Sequence, residues 1–385
     1  MEYRVIGKTG IPASIIGLGT EHLDGASGRD IDSTIHAALD AGINIIDVFM
    51  PGPDVRRKIG HALKDRRDRV LLQGAIGSTD IGDQYDISRD LATCKRYFED
   101  LLRYLQTDCI DFGMLFFMDS DQALDDVSEN GILAYARQLK KEGKIRAIGA
   151  SSHNPDVAKK LVLRGWIDLL MFSINPAFDM TPVGENTLDA LEGGFHVPNR
   201  QGLRPERHEL YQLCEKHEVG ITVMKTYGAG KLLSAEHTPF SAAMTTTQCI
   251  HYALSRPAVA SALVGCESAA EVSDAVRYLD ASAEAKDYTW IFQEEHGRLD
   301  QACVYCSHCQ PCPVGIDIAS VHKYLDIALL GTDRIPPSVR QHYLALPARG
   351  EDCITCGQCE TRCPFAVPIM ENMRLAETWL GRSAT

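Results

Sequence analysis

From residue 15 to about 280, short runs of apolar and β-branched residues alternate with stretches whose apolar positions recur every three or four residues. The first kind predicts strands at Ile15–Gly19, Asn44–Asp47, Val70–Ala75, Ile110–Phe117, Ile145–Ser151, Leu169–Asn175, Ile221–Thr226 and Ala262–Gly265. The second predicts helices between them, at Ile31–Ala41, Arg57–Lys64, Ser88–Leu105, Ile132–Glu142, Pro155–Arg164, Arg207–His217, Thr245–Ser255 and Ala269–Leu279. A strand followed by a helix, eight times over, is the pattern of an α/β chain with a parallel sheet and crossover helices. The count and the length predict a closed (β/α)8 TIM barrel, with an open doubly wound sheet as the alternative. Ahead of the first strand, Tyr3–Ile6 and Ile11–Ala13 flank Gly7-Lys8-Thr9-Gly10 and predict a hairpin plugging one end of the barrel. The connection Pro176–Glu206 is unusually long and falls on the side where barrel enzymes build their sites. After about Glu284 the alternation stops, and Ile316–Leu330 and Pro336–Leu346 read as helices. The expected division is a barrel over 1–284 and a small, mostly helical unit over 285–385.

The cysteines change this picture most. There are 13, and eight of them fall within Cys303–Cys363 in two groups of four. The second group, Cys353-x2-Cys356-x2-Cys359-x3-Cys363-Pro364, has the spacing of two-cluster bacterial ferredoxins. The first, Cys303-x2-Cys306-x2-Cys309-x2-Cys312-Pro313, is one residue shorter in its last gap. In such pairs the fourth cysteine ligates the other cluster. The expectation is therefore two [4Fe–4S] clusters, one held by Cys303, Cys306, Cys309 and Cys363, the other by Cys353, Cys356, Cys359 and Cys312. A pair of structural zinc sites is the alternative. His308, inside the first group, is expected to face solvent or a hydrogen-bond partner. The scattered Cys94, Cys109, Cys214, Cys249 and Cys266 are expected to be buried small apolar residues.

A hydrophobic content of 45% with 24% charged residues fits a folded globular chain. A net charge of −13 disfavours nucleic acid and anionic membrane surfaces as partners. The longest apolar runs, such as Cys109–Met118, are too short to span a bilayer, and no signal peptide is visible, so the expected compartment is the cytoplasm.

The order of Leu18-Gly19-Thr20, Asn44-Ile45-Ile46-Asp47, Thr107–Asp111, Gly143–Gly149, Met224-Lys225 and Gly228–Leu232 resembles the aldo/keto reductase family, and the tail resembles the helical ferredoxin domain fused to one branch of it. The resemblance implies hydride transfer between a nicotinamide and a carbonyl, by Asp, Tyr, Lys and His on neighbouring strand ends, with Tyr donating the proton. Asp47 matches the first. The Tyr position falls near Gly52, the Lys position on Ala75 and the His position on Phe116, so the ordinary family mechanism does not carry over. Ser151 and Asn175 match residues that would hold a nicotinamide carboxamide. Glu267 and Glu271 after the last strand favour NAD(H) over NADP(H). Gly228, Gly230 and Gly265 would allow close backbone approach to a phosphate, which leaves room for a flavin that no residue pattern demands.

The remaining polar equipment at the mouth is Asp47, His153, Lys225 and Tyr227, with His153 as acid/base, Lys225 pairing with Asp47 or an anionic substrate, and Tyr227 as a proton donor. Two functions follow. One is an iron–sulfur oxidoreductase acting on a small organic substrate, with an external ferredoxin-like protein as electron donor. The other is a catalytically dead barrel serving as an electron carrier or redox sensor.

Overall fold

The computed structural model describes the chain except for residues 82–83, 181–203, 294–302, 330–334, 336 and 382–385. Eight strands close into an all-parallel barrel: β1 Ile16–Gly19, β2 Ile45–Val48, β3 Leu71–Ile76, β4 Ile110–Leu115, β5 Ile145–Ser152, β6 Leu169–Ser173, β7 Gly220–Met224 and β8 Val259–Gly265. The order around the barrel is the chain order, and β8 pairs with β1 through Ala262↔Ile16 to Gly265↔Gly19. Each crossover carries a helix: α1 Gly28–Asp40, α2 Pro53–Leu63, α3 Leu91–Leu105, α4 Ile132–Glu142, α5 Pro155–Leu163, α6 Pro205–Lys216, α7 Thr246–Leu254 and α8 Ala269–Val276. The doubly wound alternative is excluded by the closure.

Sequence and structure differ mainly at element ends. The fourth strand stops at Leu115, and Phe116 and Phe117 leave the sheet, the latter in the left-handed region at φ 56°. The eighth begins at Val259, because Val-Ala-Ser-Ala are small enough to be wholly buried. Two elements lack a sequence signal long enough to read: a helix at Asp121–Glu129, and a hairpin pairing Ser78–Asp80 with Tyr85–Ile87 over the mouth. The long connection after β6 is described only at its ends.

The N-terminal hairpin pairs Tyr3–Val5 with Pro12–Ser14. Its Ile6, Ile11 and Ala13 are buried against Ile45, Leu71, Phe112, Leu169 and Ala260 inside the barrel, closing the floor. Gly7, at φ 46°, lies so close to the Glu218 carbonyl that a Cβ there would overlap it.

Past α8 the chain runs along the outside of α7, where the Gln248 amide donates to the Asp287 carbonyl at 2.6 Å. Among the described residues two four-residue helices, Ala283–Lys286 and Trp290–Gln293, come first, and then α9 Ile318–Leu329, α10 Pro337–Leu344, α11 Gln358–Arg362 and α12 Ile369–Leu380. Helix α9 packs on α12 and on α6 of the barrel.

A buried carboxylate ties these layers together. Asp179, in the turn Pro176–Asp179 after β6, accepts from Arg207 Nε at 2.7 Å, Tyr211 at 2.6 Å and Tyr252 at 2.7 Å. Arg207 also donates to the Ser173 carbonyl at the end of β6. Removing one member of a buried ion pair strands the other charge, at about 3–5 kcal/mol. Asp179→Ala is expected to lower unfolding free energy by about that amount in urea titration, whereas Asp156→Ala, whose partner Lys159 lies at the surface 3.5 Å away, leaves it nearly unchanged.

Candidate active site and thiol groups

The strand C-termini surround a cleft of about 190 Å³, lined mostly by apolar atoms. Asp47 lies in its depth, 5% exposed. Burial raises its pKa to about 7; the Gln73 amide, donating at 3.2 Å, opposes the rise, and the charge of Glu21 adds to it. Gln73, opposite Asp47 in the β2–β3 register, was not singled out from the sequence, although it is the one polar residue in an otherwise apolar strand. Of the lost family positions, Gly52 caps α2, Ala75 is buried in β3 and Phe116 is part of the cleft wall.

Three rings form one side of the cleft. Phe49 and Phe116 stack at 6.0 Å, and Tyr85 of the mouth hairpin stands edge-on to both, at 5.4 and 5.6 Å. Beside them His153, at the end of β5, hydrogen-bonds through Nδ1 to Asp119 Oδ2 at 2.8 Å. The other Asp119 oxygen accepts from the His153 backbone N–H at 2.6 Å and the Ser152 hydroxyl at 2.9 Å. Burial alone would raise the Asp119 pKa, but these hydrogen bonds and the His153 charge outweigh it and hold the carboxyl low. An ionised carboxylate on Nδ1 fixes the proton there and leaves Nε2 for the cleft. No residue hydrogen-bonds Nε2 among the described residues. Asp119 was invisible as a partner in the sequence, because it lies on the loop after β4, thirty-four positions from His153.

Other expected site residues are placed differently. Lys225 lines the cleft, but no ion pair joins it to Asp47 among the described residues. Tyr227 gives the cleft its ring, while its hydroxyl is buried without a partner. Burial first, then the neighbouring Cys266 and Cys249, push its pKa well above the usual tyrosine value, so it is a poor proton donor. Ser151 lines the cleft, and its Oγ accepts from the Phe117 N–H at 2.8 Å. Asn175 is committed elsewhere: Oδ1 caps the turn at the Phe178 N–H, and Nδ2 donates to the Lys225 carbonyl at 2.9 Å. Gly230 lines the cleft, whereas Gly228 turns the chain behind it, donating to the Lys225 carbonyl. Gly265 is needed because a Cβ would strike the His22 ring, which covers it and takes the place expected for a phosphate.

Thiols of the two tail loops come near one another. Burial is the main influence on Cys303, Cys306 and Cys309 and pushes the pKa of all three up. The charges of Cys306 and Cys309 add to it at Cys303, that of Cys363 at Cys306 and Cys309, and that of Cys359 from the second group at Cys309 as well. Cys312, Cys353, Cys356 and Cys359 surround one small cavity of about 20 Å³, walled by Ile316, Ile354, Ile369, Met370 and Met373. The two loops trace the same path. Tyr305 and Thr355, each before the second cysteine of its group, have φ of 56° and 53°, and Ser307 and Gly357, each after it, have 60° and 74°. Left-handed backbone costs a non-glycine residue about 1–2 kcal/mol, so its repetition marks a shared demand. Among the described residues no three His, Cys, Asp or Glu side chains come close enough to hold a single metal ion. His308 faces Asp287 at 3.5 Å. Of the scattered cysteines four are buried, but Cys109 is exposed, since it precedes β4 at the rim of the barrel floor. No helix among the described residues is long and apolar enough to cross a membrane.

Comparison with known proteins agrees with this architecture. Residues 15–248 match the aldo/keto reductase family, and the chain belongs to it. Aldo-keto reductase YhdN of Bacillus subtilis (strain 168) is 34% identical over 164 residues, 40% of this chain and 47% of its own, so the chain spans about half of that relative. The NADH-specific methylglyoxal reductase of Escherichia coli (strain K12) is 29% identical over 187 residues, 43% of this chain and 56% of that one. Among solved structures, the holo form of aldo-keto reductase AKR11C1 from Bacillus halodurans superposes with a TM-score of 0.58 at 24% identity, covering 74% of this chain and 94% of that one. That likeness concerns the fold. The Bacillus subtilis and Escherichia coli relatives are both named as reductases.

The buried Asp47 makes a prediction. With its pKa raised from 3.8 to about 7, the native state binds more protons than the unfolded state between those values. Stability then falls as pH rises through that window and levels off above it. Asp47→Asn is expected to be the more stable protein at pH 8, by up to roughly 4 kcal/mol at ~1.4 kcal/mol per pH unit, and to match the wild type near pH 4. Chemical denaturation at the two pH values measures it.

Proposed function

We propose that this chain is an iron–sulfur oxidoreductase whose barrel cleft receives a small, largely apolar organic substrate and whose residues 285–385 hold two [4Fe–4S] clusters. The observation that supports it most is the meeting of thiols from the two loops: Cys363 acts on Cys306 and Cys309, and Cys312 lines one small cavity with Cys353, Cys356 and Cys359. That is the exchange of fourth ligands expected of a two-cluster segment. The repeated left-handed residues around each second cysteine and the apolar wall of the second cavity also fit clusters of the same kind in both loops. When bound, the clusters would supply electrons one at a time.

The chain's own residues supply the rest. The three-ring wall excludes water and accepts a flat apolar body. His153, its Nδ1 fixed by Asp119, presents Nε2 to the cleft and delivers a proton to the reduced substrate. Asp47, with a pKa near neutrality, is the second proton source. Lys225 offers a cation to an anionic or polar substituent. Two electrons and two protons thus account for reduction of one double bond, with a ferredoxin-like protein as the external donor. The tail lies on the outer side of α7, where His251 hydrogen-bonds the Cys306 backbone, while Cys249 of the same helix adjoins Tyr227 in the cleft wall. One helix therefore separates thiols from cleft. If a nicotinamide joins the cycle, Glu267 and Glu271 after β8 favour NAD(H) over a cofactor with a 2′-phosphate. A flavin phosphate finds no basic side chain at Gly265, where His22 already covers the backbone.

Protein prepared without oxygen is expected to carry about eight iron and eight sulfide per chain, for two clusters of four. Cys363→Ser should disturb the paramagnetic signal of one reduced cluster and Cys312→Ser that of the other. Zinc in place of iron, with no visible absorbance, would overturn the reading. In the same preparation, His153→Asn should slow donor-driven substrate reduction by at least ~100-fold while dithionite still reduces both clusters. Equal rates in variant and wild type would favour the inert-scaffold reading.

A further inference from the structure

Two arginines, Arg207 and Arg256, are buried at the junction of barrel and tail, and among the described residues only Arg207 forms an ion pair. Arg207 is paired with Asp179. Arg256, just past α7 and 2% exposed, donates through Nη2 to the Val304 carbonyl, to Tyr288 at 2.9 Å and to the Ser255 hydroxyl at 3.0 Å. The rings of Tyr252 and Tyr305 lie 4.4 and 5.8 Å from its Cζ. All these partners are neutral. No carboxylate forms an ion pair with Arg256 among the described residues, and its Nε and Nη1 are buried without any acceptor. The acids nearby hold other donors directly, Asp179 the Arg207 guanidinium and Asp326 the Tyr305 hydroxyl at 2.6 Å. Burial disfavours the Arg256 charge, and the surrounding phenols with the more distant Asp179 outweigh it and keep the group charged without pairing its Nε and Nη1. A guanidinium stays charged in any protein environment, and a buried charge without compensation costs several kcal/mol. The arrangement makes sense if the missing negative charge arrives with a ligand.

The position of Arg256 says which ligand. Val304 and Tyr305, which it grips and stacks on, are the two residues between Cys303 and Cys306, and its charge acts on the Cys306 thiol. A four-iron cluster with four thiolates is an anion, and it gains a further negative charge on reduction. The second thiol group also has an arginine beside it: Arg362 lines that cavity and donates to the Pro311 carbonyl at 2.8 Å. Arg362 is only half-buried, so water screens it, whereas the field of Arg256 acts through a dry interior.

We propose that Arg256 is the built-in counter-charge of the cluster on Cys303, Cys306, Cys309 and Cys363, holding its loop in place and stabilising its reduced state, so that it raises that cluster's reduction potential. This rests on the cluster reading above. It makes Arg256 a positioning residue and not a catalytic one, since it lies at the floor end of α7, away from the cleft.

The test is a redox titration of the intact protein, followed by paramagnetic resonance of each reduced cluster. Arg256→Gln should lower one midpoint potential by the equivalent of at least a tenfold change in the reduction equilibrium, ~59 mV for one electron, and leave the other in place. Arg256→Lys, which keeps the charge, should stay near the wild type. If Arg256→Gln folds but retains only the irons of the second group, and Arg256→Lys restores the full complement, the proposal stands as well. Unchanged potentials in Arg256→Gln with full iron content would overturn it. Loss of the cluster in both variants would also overturn it, since packing alone would then be the role. Absence of iron from the wild type is a different result, and it would remove the cluster reading itself.

Discussion

The structure turns on a single buried carboxylate. Asp179 accepts from a guanidinium and two phenols, and those donors come from α6 and α7 while the acid itself follows β6. The same Tyr252 that donates to Asp179 lies under the guanidinium of Arg256, which in turn grips the first cysteine loop. A continuous set of polar contacts thus runs from the end of a barrel strand, through two helices, to the thiols. Packing alone would let helices slide by a fraction of a turn; a fully used carboxylate fixes their register. The barrel wall on this side is therefore a rigid mount for the tail.

The two sides of the cleft differ in character. On the β2–β4 side Phe49, Tyr85 and Phe116 make the mouth largely apolar. Asp47 has no cation to pair with there and leans toward its neutral form. Charge-bearing chemistry has shifted to the β5 side, where Asp119 and His153 form an oriented pair. The buried Asp47 and the oriented His153 thus lie on different walls of one small space.

Much of this was legible in the sequence, for identifiable reasons. Parallel strands covered on both faces are written as unbroken apolar runs, so all eight barrel strands could be placed to within a few residues. The cysteine spacing is equally local, and the proposal of two clusters starts from it. What stayed hidden depends on contacts between distant positions. Asp119 is one acid among many until β5 places His153 beside it. Tyr85 sits in strands of three residues, too short to show a period. Asn175 looked like a cofactor ligand because it ends a strand, yet that same place makes it the cap of the next turn. Tyr227 has the right chemistry for a proton donor and the wrong direction, and no sequence pattern encodes where a side chain on an irregular loop will point.

The crossing of the cysteine groups bears on how the molecule comes into being. On the proposed ligand sets Cys363 serves the first loop and Cys312 the second, so neither set of four is complete until both loops have been made. The barrel's strands and helices precede both loops in the chain, so on that reading the fold that carries the thiols can form before either set is complete. A break anywhere between the two loops would then take a ligand from each proposed cluster at once.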